Sequence, residues 1–172
     1  MTRGRTFRGL AYRHTRPVHT DLSATIAATA RTSEPGRFHI AGEFGAIYLS
    51  LEPETALREL ARRAYRVGIP ISYLMPRDLV TVELRLANVL DLTDTNIQTE
   101  WGVSAASLAL DDFTACQEVA AAARRSGYEA IIYPSATGVG ENIALFYDHL
   151  HPGSSAVIAA QTAIDPGAIP DA

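Results

Sequence analysis

Val80, Val82, Leu84 and Leu86 alternate with Thr81, Glu83 and Arg85, a period of two that fits a β-strand with one buried face. Upstream, Pro53 opens a stretch in which Ala56, Leu57, Leu60, Ala61 and Ala64 recur on one side of a helix running to about Val67, with Gly68 as its stop. A half-apolar sheet and a one-sided helix each need a covering layer. The chain is therefore committed to packing helices on strands.

Further elements follow without regular alternation. Strands are expected around Leu10–Arg13, over Ala46–Leu49, at Ala130–Tyr133 and Ile143–Tyr147 around a glycine-containing loop, and over Ser155–Ile164. Val89–Leu92 either continues the Val80 strand or pairs near it. Helices are expected over Ala24–Thr32 and from Asp111 or Asp112, as cap, to Arg125, with Gly127 ending the second. Gly36–Gly45 reads as turns, and Thr93–Ser107 as a long loop or short helical turns. Residues 1–9 form a loose arm or the lead into the first strand, and 165–172 a loose tail. With no linker, repeat or low-complexity tract, the expectation is one α+β domain over 1–172.

Composition narrows the function classes. No run approaches the roughly 20 apolar residues of a membrane span, and the start Met1-Thr2-Arg3-Gly4-Arg5 has no apolar run behind it, so no secretory signal is expected. The lone Cys116 rules out an internal disulfide and a cysteine-built zinc cage, and fits a reducing, cytoplasmic setting. No metal is expected, because the histidines lack metal-site spacing with nearby acids. A net charge of −4 argues against direct nucleic-acid contact. All fifteen Lys and Arg positions are arginine, which removes lysine nucleophiles and leaves planar cations suited to phosphate or carboxylate.

A few polar residues stand out, each with two readings. Glu59 lies off the apolar helix face, near Arg62, Arg63 and Arg66, and is either a solvated partner of Arg63 at i+4 or a catalytic carboxylate at a cleft edge. Arg37, after Gly36, is a solvated loop cation or a phosphate clamp. Tyr12-Arg13-His14 poses the same choice on a firmer strand. Tyr48 is a core tyrosine or a ligand platform. Ser135 follows Tyr133-Pro134 at a sheet edge without a G-x-S-x-G frame, so it reads as a hydrogen-bond donor rather than a nucleophile. The residues alone do not choose.

Two ordered stretches resemble the RES domain of bacterial toxin–antitoxin systems. The first is Pro35-Gly36-Arg37-Phe38, then Gly45-Ala46-Ile47-Tyr48-Leu49-Ser50 and Pro53-Glu54-Thr55-Ala56-Leu57-Arg58-Glu59-Leu60. The second is Gly127-Tyr128, Ile132-Tyr133-Pro134-Ser135 and Asn142-Ile143-Ala144-Leu145-Phe146, with Tyr12-Arg13-His14 and Pro17 suiting the family opening. The resemblance spans about residues 10–148. It implies a mixed central β-sheet with flanking helices, similar to the ADP-ribosyltransferase fold, and an enzyme that degrades NAD by hydrolysis or phosphorolysis. NAD is then a substrate, phosphate a candidate co-substrate, and no cofactor is needed. The family arginines fall on Arg13 and Arg37, the tyrosine on Tyr48, the glutamate on Glu59 and the serine on Ser135. Glu59, Arg37 and Ser135 are the catalytic candidates, and Tyr12, Arg13 and Tyr48 join Arg37 and Ser135 in holding substrate. Phe38-His39 stands where the family commonly has tryptophan then asparagine, so the asparagine's hydrogen bond is not carried over.

The resemblance also implies a helix-turn-helix antitoxin of the Xre type as partner, with DNA contacted through that partner and not by this chain. A homodimer or a larger complex with the antitoxin is compatible with it. The competing expectations are transfer of ADP-ribose to a host protein from the same site, and a non-catalytic module that only engages its antitoxin. A nuclease toxin is disfavoured by the acidic, lysine-free composition.

Overall fold

The computed structural model describes residues 4–17, 21–31 and 34–170. In chain order the elements are β1 (Arg5–Thr15), α1 (Leu22–Arg31), β2 (Ile47–Ser50), α2 (Pro53–Arg66), β3 (Asp78–Asp91), α3 (Thr95–Glu100), α4 (Ala105–Ala109), α5 (Thr114–Arg125), β4 (Ala130–Pro134), β5 (Glu141–Leu145) and β6 (Ser155–Ala163). Short 3₁₀ turns lie at Ile71–Leu74, Tyr147–His149 and Pro166–Ala168.

The alternating segment is the spine of a mixed sheet. Val80, Val82, Leu84 and Leu86 are buried, and the strand runs on without a break through Val89 and Leu90. Along one edge β3 pairs antiparallel with β1, from Thr15↔Asp78 to Arg5↔Val89. Its other edge pairs antiparallel with β6 and then, at Val89–Asp91, parallel with Ala130–Ile132 of β4. β4, β5 and β2 follow as antiparallel neighbours, and β2 returns to β1 at the single pair Tyr12↔Ser50. The pairing thus closes into a ring, β1-β2-β5-β4-β3-β1, with β6 attached outside it.

The short strands read as continuous apolar runs because both of their faces are covered. Ile47, Leu49, Ala130, Ile132, Ile143 and Leu145 join Val82 and Leu84 in one core, roofed by Leu22 and Ile26 of α1. Their alternating neighbours Ala46, Ile131, Tyr133 and Ala144 pack in a second core with Leu108 of α4 and Cys116, Val119, Ala120 and Ala123 of α5. Among the described residues no helix is long and apolar enough to cross a membrane.

Several boundaries differ from expectation. Arg5–Gly9 belong to β1 and not to a loose arm, because Phe7 packs on the core and Arg5 reaches Asp91 at 2.6 Å; residues 1–3 lie outside the described set. Helix α1 starts earlier, at Leu22, where Asp21 Oδ1 accepts the Ser23 and Ala24 amides at 2.8 and 3.2 Å; Thr32 is outside the described residues. The polar segment after β3 takes the second of its two expected forms, two short helices capped by Asp94 and Ser104. Neither proposed aspartate is the N-cap of α5: that position is Phe113, without a side-chain cap bond, while Asp112 just before it accepts the Thr114 amide at 3.0 Å and Asp111 pairs with Arg66 at 3.2 Å. β5 ends at Leu145, and Tyr147 opens a 3₁₀ turn. The tail is ordered by Asp165, which caps the turn at Pro166–Ala168; residues 171–172 are not described.

One buried carboxylate pins the spine. Between Phe7↔Leu86 and Arg5↔Val89 the ladder carries a bulge, and Glu129, fully buried, accepts both amides of that bulge, Ala87 at 2.6 Å and Asn88 at 2.8 Å. It also takes the His151 amide at 2.7 Å. Burial opposes its charge, but hydrogen bonds from Ser154 and from these three amides prevail and hold its pKa below the ordinary carboxylate value. Replacing Glu129 with Ala leaves buried N–H groups unsatisfied and is expected to remove at least about 3 kcal/mol of stability. Because the folded-state pKa is lowered, this contribution is present above the unfolded carboxylate pKa and fades as pH falls through the folded one. Urea unfolding of wild type and Glu129→Ala at pH 7 and in acid should show their stabilities converging toward low pH.

Candidate active site

The site begins with a cross-strand row. Tyr12 of β1 pairs with Ser50 of β2, Ser50 with Asn142 of β5, and Asn142 with Tyr133 of β4. Facing residues in adjacent strands are close enough to bond. Ser50 Oγ donates to Asn142 Oδ1 at 2.7 Å, and Asn142 Nδ2 donates to Glu59 Oε1 at 2.7 Å. Ser135 Oγ donates to the same carboxylate oxygen, also at 2.7 Å. Ser50, Asn142 and Ser135 are buried, Glu59 half-buried. Oε2 has no hydrogen-bond partner among the described residues.

Ser135 reaches Glu59 because the β4–β5 turn docks on α2. The Ser135 amide donates to Gly140 O at 3.0 Å, closing the turn. Gly140 has φ +73°, and a Cβ there would collide with Thr55, which is fully buried in the first turn of α2. Glu59 follows one helical turn later. The expected i+4 pairing of Glu59 with Arg63 is not made; the i,i+4 pair on this helix is Arg58 with Glu54, at 2.9 Å on the exposed side.

Glu59, Asn142 and Tyr133 open into a cavity of about 970 Å³ that Tyr12, Arg13, Arg37 and Tyr48 also line. Ser135 does not line it and supports Glu59 from within the protein. Seven of the lining residues are arginines, against three carboxylates, Asp21, Glu34 and Glu59. An acidic chain thus encloses a basic hollow.

The predicted arginines differ in commitment. Arg37 Nη1 donates to the carbonyls of Leu108 and Leu110, the latter at 2.9 Å, and its guanidinium lies 4.9 Å from the Phe113 ring centroid. Arg13 has a buried Nε without a partner, and burial followed by the charge of Arg77 lowers its pKa. Tyr48 lines the cavity, and its hydroxyl accepts the Phe38 amide at 2.8 Å, as expected of a tyrosine set in the core. Burial raises the Tyr48 pKa, keeping the hydroxyl neutral. His39 retains a hydrogen bond where the family asparagine is absent, with Nδ1 3.0 Å from Tyr48 Oη. Burial lowers the His39 pKa against a smaller opposing influence of the Glu34 backbone. A Cβ on Gly36 would overlap the His39 ring and lie 2.7 Å from the Tyr48 hydroxyl, so only glycine fits before Arg37.

Asn142, Ser50 and Arg77 were not singled out beforehand. The available signal for the first two was a polar residue at the sheet-end of an otherwise apolar strand, Asn142 before Ile143 and Ser50 after Leu49. Arg77 is buried, with Nε donating to Leu74 O at 2.9 Å, and sits just before β3 with no motif around it.

A probable NAD(+) phosphorylase of Mycobacterium tuberculosis is 36% identical over 114 residues, which is 65% of this chain and 53% of that protein. The chain therefore spans about half the length of the curated relative it matches. A chain in the crystal structure of the M. tuberculosis MbcT–MbcA toxin–antitoxin complex has the same fold, with a TM-score of 0.80 at 24% identity over 96% of this chain and 88% of that one. The RES domain family matches residues 10–166, nearly the whole chain, and this protein belongs to that family.

Proposed function

We propose that this chain is the toxin of a toxin–antitoxin pair and degrades NAD by cleaving its nicotinamide–ribose bond. The observation that carries the reading is Glu59: two buried donors, Ser135 and Asn142, hold one carboxylate oxygen, and the residue faces an arginine-lined cavity. Nicotinamide is joined to ribose through a cationic nitrogen and departs neutral, so no general acid is required. One carboxylate suffices where ordinary glycosidases use two. As the bond breaks, Glu59 stabilises positive charge on the ribose or holds a ribose hydroxyl and orients the acceptor.

Arg13 and Arg37 bind the pyrophosphate, and Tyr48, with Tyr12 beside it, offers a ring face to the nicotinamide. Ser135 acts by positioning Glu59. The acceptor is water or phosphate, and the name of the M. tuberculosis relative supports phosphate. The ring of strands around this site is in our reading of the ADP-ribosyltransferase type. The partner is a helix-turn-helix antitoxin of the Xre type that covers the cavity, both proteins acting in the cytoplasm; the toxin–antitoxin title of the structural neighbour supports a protein partner.

Glu59→Gln keeps an acceptor for Ser135 and Asn142 but removes the charge. Nicotinamide release from NAD, followed by chromatography, is expected to fall on the order of 10²–10³-fold with unchanged thermal stability; wild-type turnover in this variant refutes the assignment. Ser135→Ala and Asn142→Ala each leave Glu59 charged but less firmly placed. Their kcat should drop roughly ten- to a hundredfold, less than in Glu59→Gln, with KM for NAD little changed.

A further inference from the structure

His39 is 5% exposed, follows Arg37 by two residues and is absent from the cavity lining. Gly36 and His39 pair as an isolated antiparallel bridge, which turns the chain so that the imidazole lies against Gly36. A Cβ on Gly36 would fall 2.1 Å from both Cε1 and Nδ1 of that ring. Nδ1 is also 3.0 Å from Tyr48 Oη, and the two rings tilt at 57° with centroids 5.9 Å apart. Gln117 of α5 closes the arrangement, its Nε2 donating to Gly36 O at 3.0 Å. A single buried side chain thus supports both the backbone leading into Arg37 and the hydroxyl of Tyr48. Both of those residues line the cavity.

The remaining ring nitrogen, Nε2, is buried and has no partner among the described residues. The Glu34 backbone acts on the ring as a hydrogen-bonding group, and a carbonyl only accepts. The neutral ring is therefore assigned its proton on Nδ1, leaving Nε2 a bare lone pair. Protonation would place a charged N–H where nothing accepts it. Burial accordingly lowers the His39 pKa against the smaller opposing influence of Glu34, and among the described residues no carboxylate charge acts on the ring. The titratable groups around it are Tyr48 of β2, Cys116 of α5, which acts on Tyr48, and Arg37 and Glu34 of its own loop. Burial raises the pKa of both Tyr48 and Cys116, so neither supplies a negative charge. An imidazolium here can find an acceptor only by leaving its place. We propose that His39 is a positioning residue for Arg37 and Tyr48, a wedge that holds both only while its ring is neutral. Acid then loosens the side of the site that holds substrate. This role rests on the reading that Arg37 and Tyr48 hold the dinucleotide.

The test follows nicotinamide release from NAD over about pH 5 to 8 in wild type, His39→Asn and His39→Ala. Asparagine can set its Nδ2 where Nδ1 stands and cannot be protonated. At neutral pH His39→Ala should lose roughly tenfold or more in kcat/KM, and His39→Asn should recover most of that loss. As pH falls through the lowered His39 pKa, wild-type kcat/KM should drop, approaching about tenfold per pH unit, and His39→Asn should lack this limb. The same acid limb in His39→Asn overturns the proposal. A second measurement needs no turnover: nitrogen-15 NMR, with the His39 ring assigned by its loss in either variant and Arg37 Nε by its loss in Arg37→Lys. The Arg37 signal should move with pH in step with the His39 ring and stay still in His39→Asn. An Arg37 signal indifferent to His39 titration overturns the wedge even where NAD is cleaved. Coupled titration of the two without nicotinamide release at any pH supports the wedge and overturns the NAD reading.

Discussion

The register of β2, β5 and β4 is the constraint on which the rest depends. Ser50, Asn142 and Tyr133 stand opposite one another, and the pairs one residue on, Leu49–Ile143–Ile132, stand opposite on the other face. Side chains alternate across a strand, so a slip of one residue would turn the polar row toward the α1 core and drive aliphatic side chains against Glu59. Filling both cores and presenting the polar row to α2 are therefore one requirement. The two hydrophobic cores hold the row in place, and the row in turn fixes a carboxylate that belongs to a different element.

How much of this was legible in the sequence depended on the distance over which each signal acts. Local periodicity was enough for β3 and α2, and the apolar runs of β4 and β5 announced strands covered on both faces. It was not enough for the first half of β1, whose exposed arginines and glycine hide a strand held by its long-range ladder to β3. Nor could it separate α3 and α4 from loop, since helices of six and five residues depend on caps and packing. In the site, a helical wheel placed Glu59 beside Arg63 and could not see that the β4–β5 turn would bring Ser135 to its other side. Ordered motifs pointed to Arg13, Arg37, Tyr48, Glu59 and Ser135, and the structure brings the first four to one cavity with Ser135 bonded to Glu59. Asn142 shows only as a polar residue ahead of an apolar run, and Arg77 carries no distinguishing neighbours in sequence. Their importance lies in partners far along the chain.

The charge distribution adds a second layer of order. A chain with net charge −4 concentrates seven of its fifteen arginines around one hollow. Low-dielectric walls focus such a field and raise the local concentration of anions at the mouth. Because every one of these cations is a guanidinium, none can lose its proton to relieve the crowding. Arg37 shows how the fold manages this, tying its Nη1 to two backbone carbonyls and resting on Phe113.

The ring of strands is closed unevenly. β1 is stitched to β3 along nearly its whole length but meets β2 at the single pair Tyr12↔Ser50, and both of those residues line the cavity. Local opening of a protein follows the seam with fewest bonds. Here that seam lies in the wall of the pocket itself, so the thinnest closure of the ring and the lining of the hollow share the same two residues.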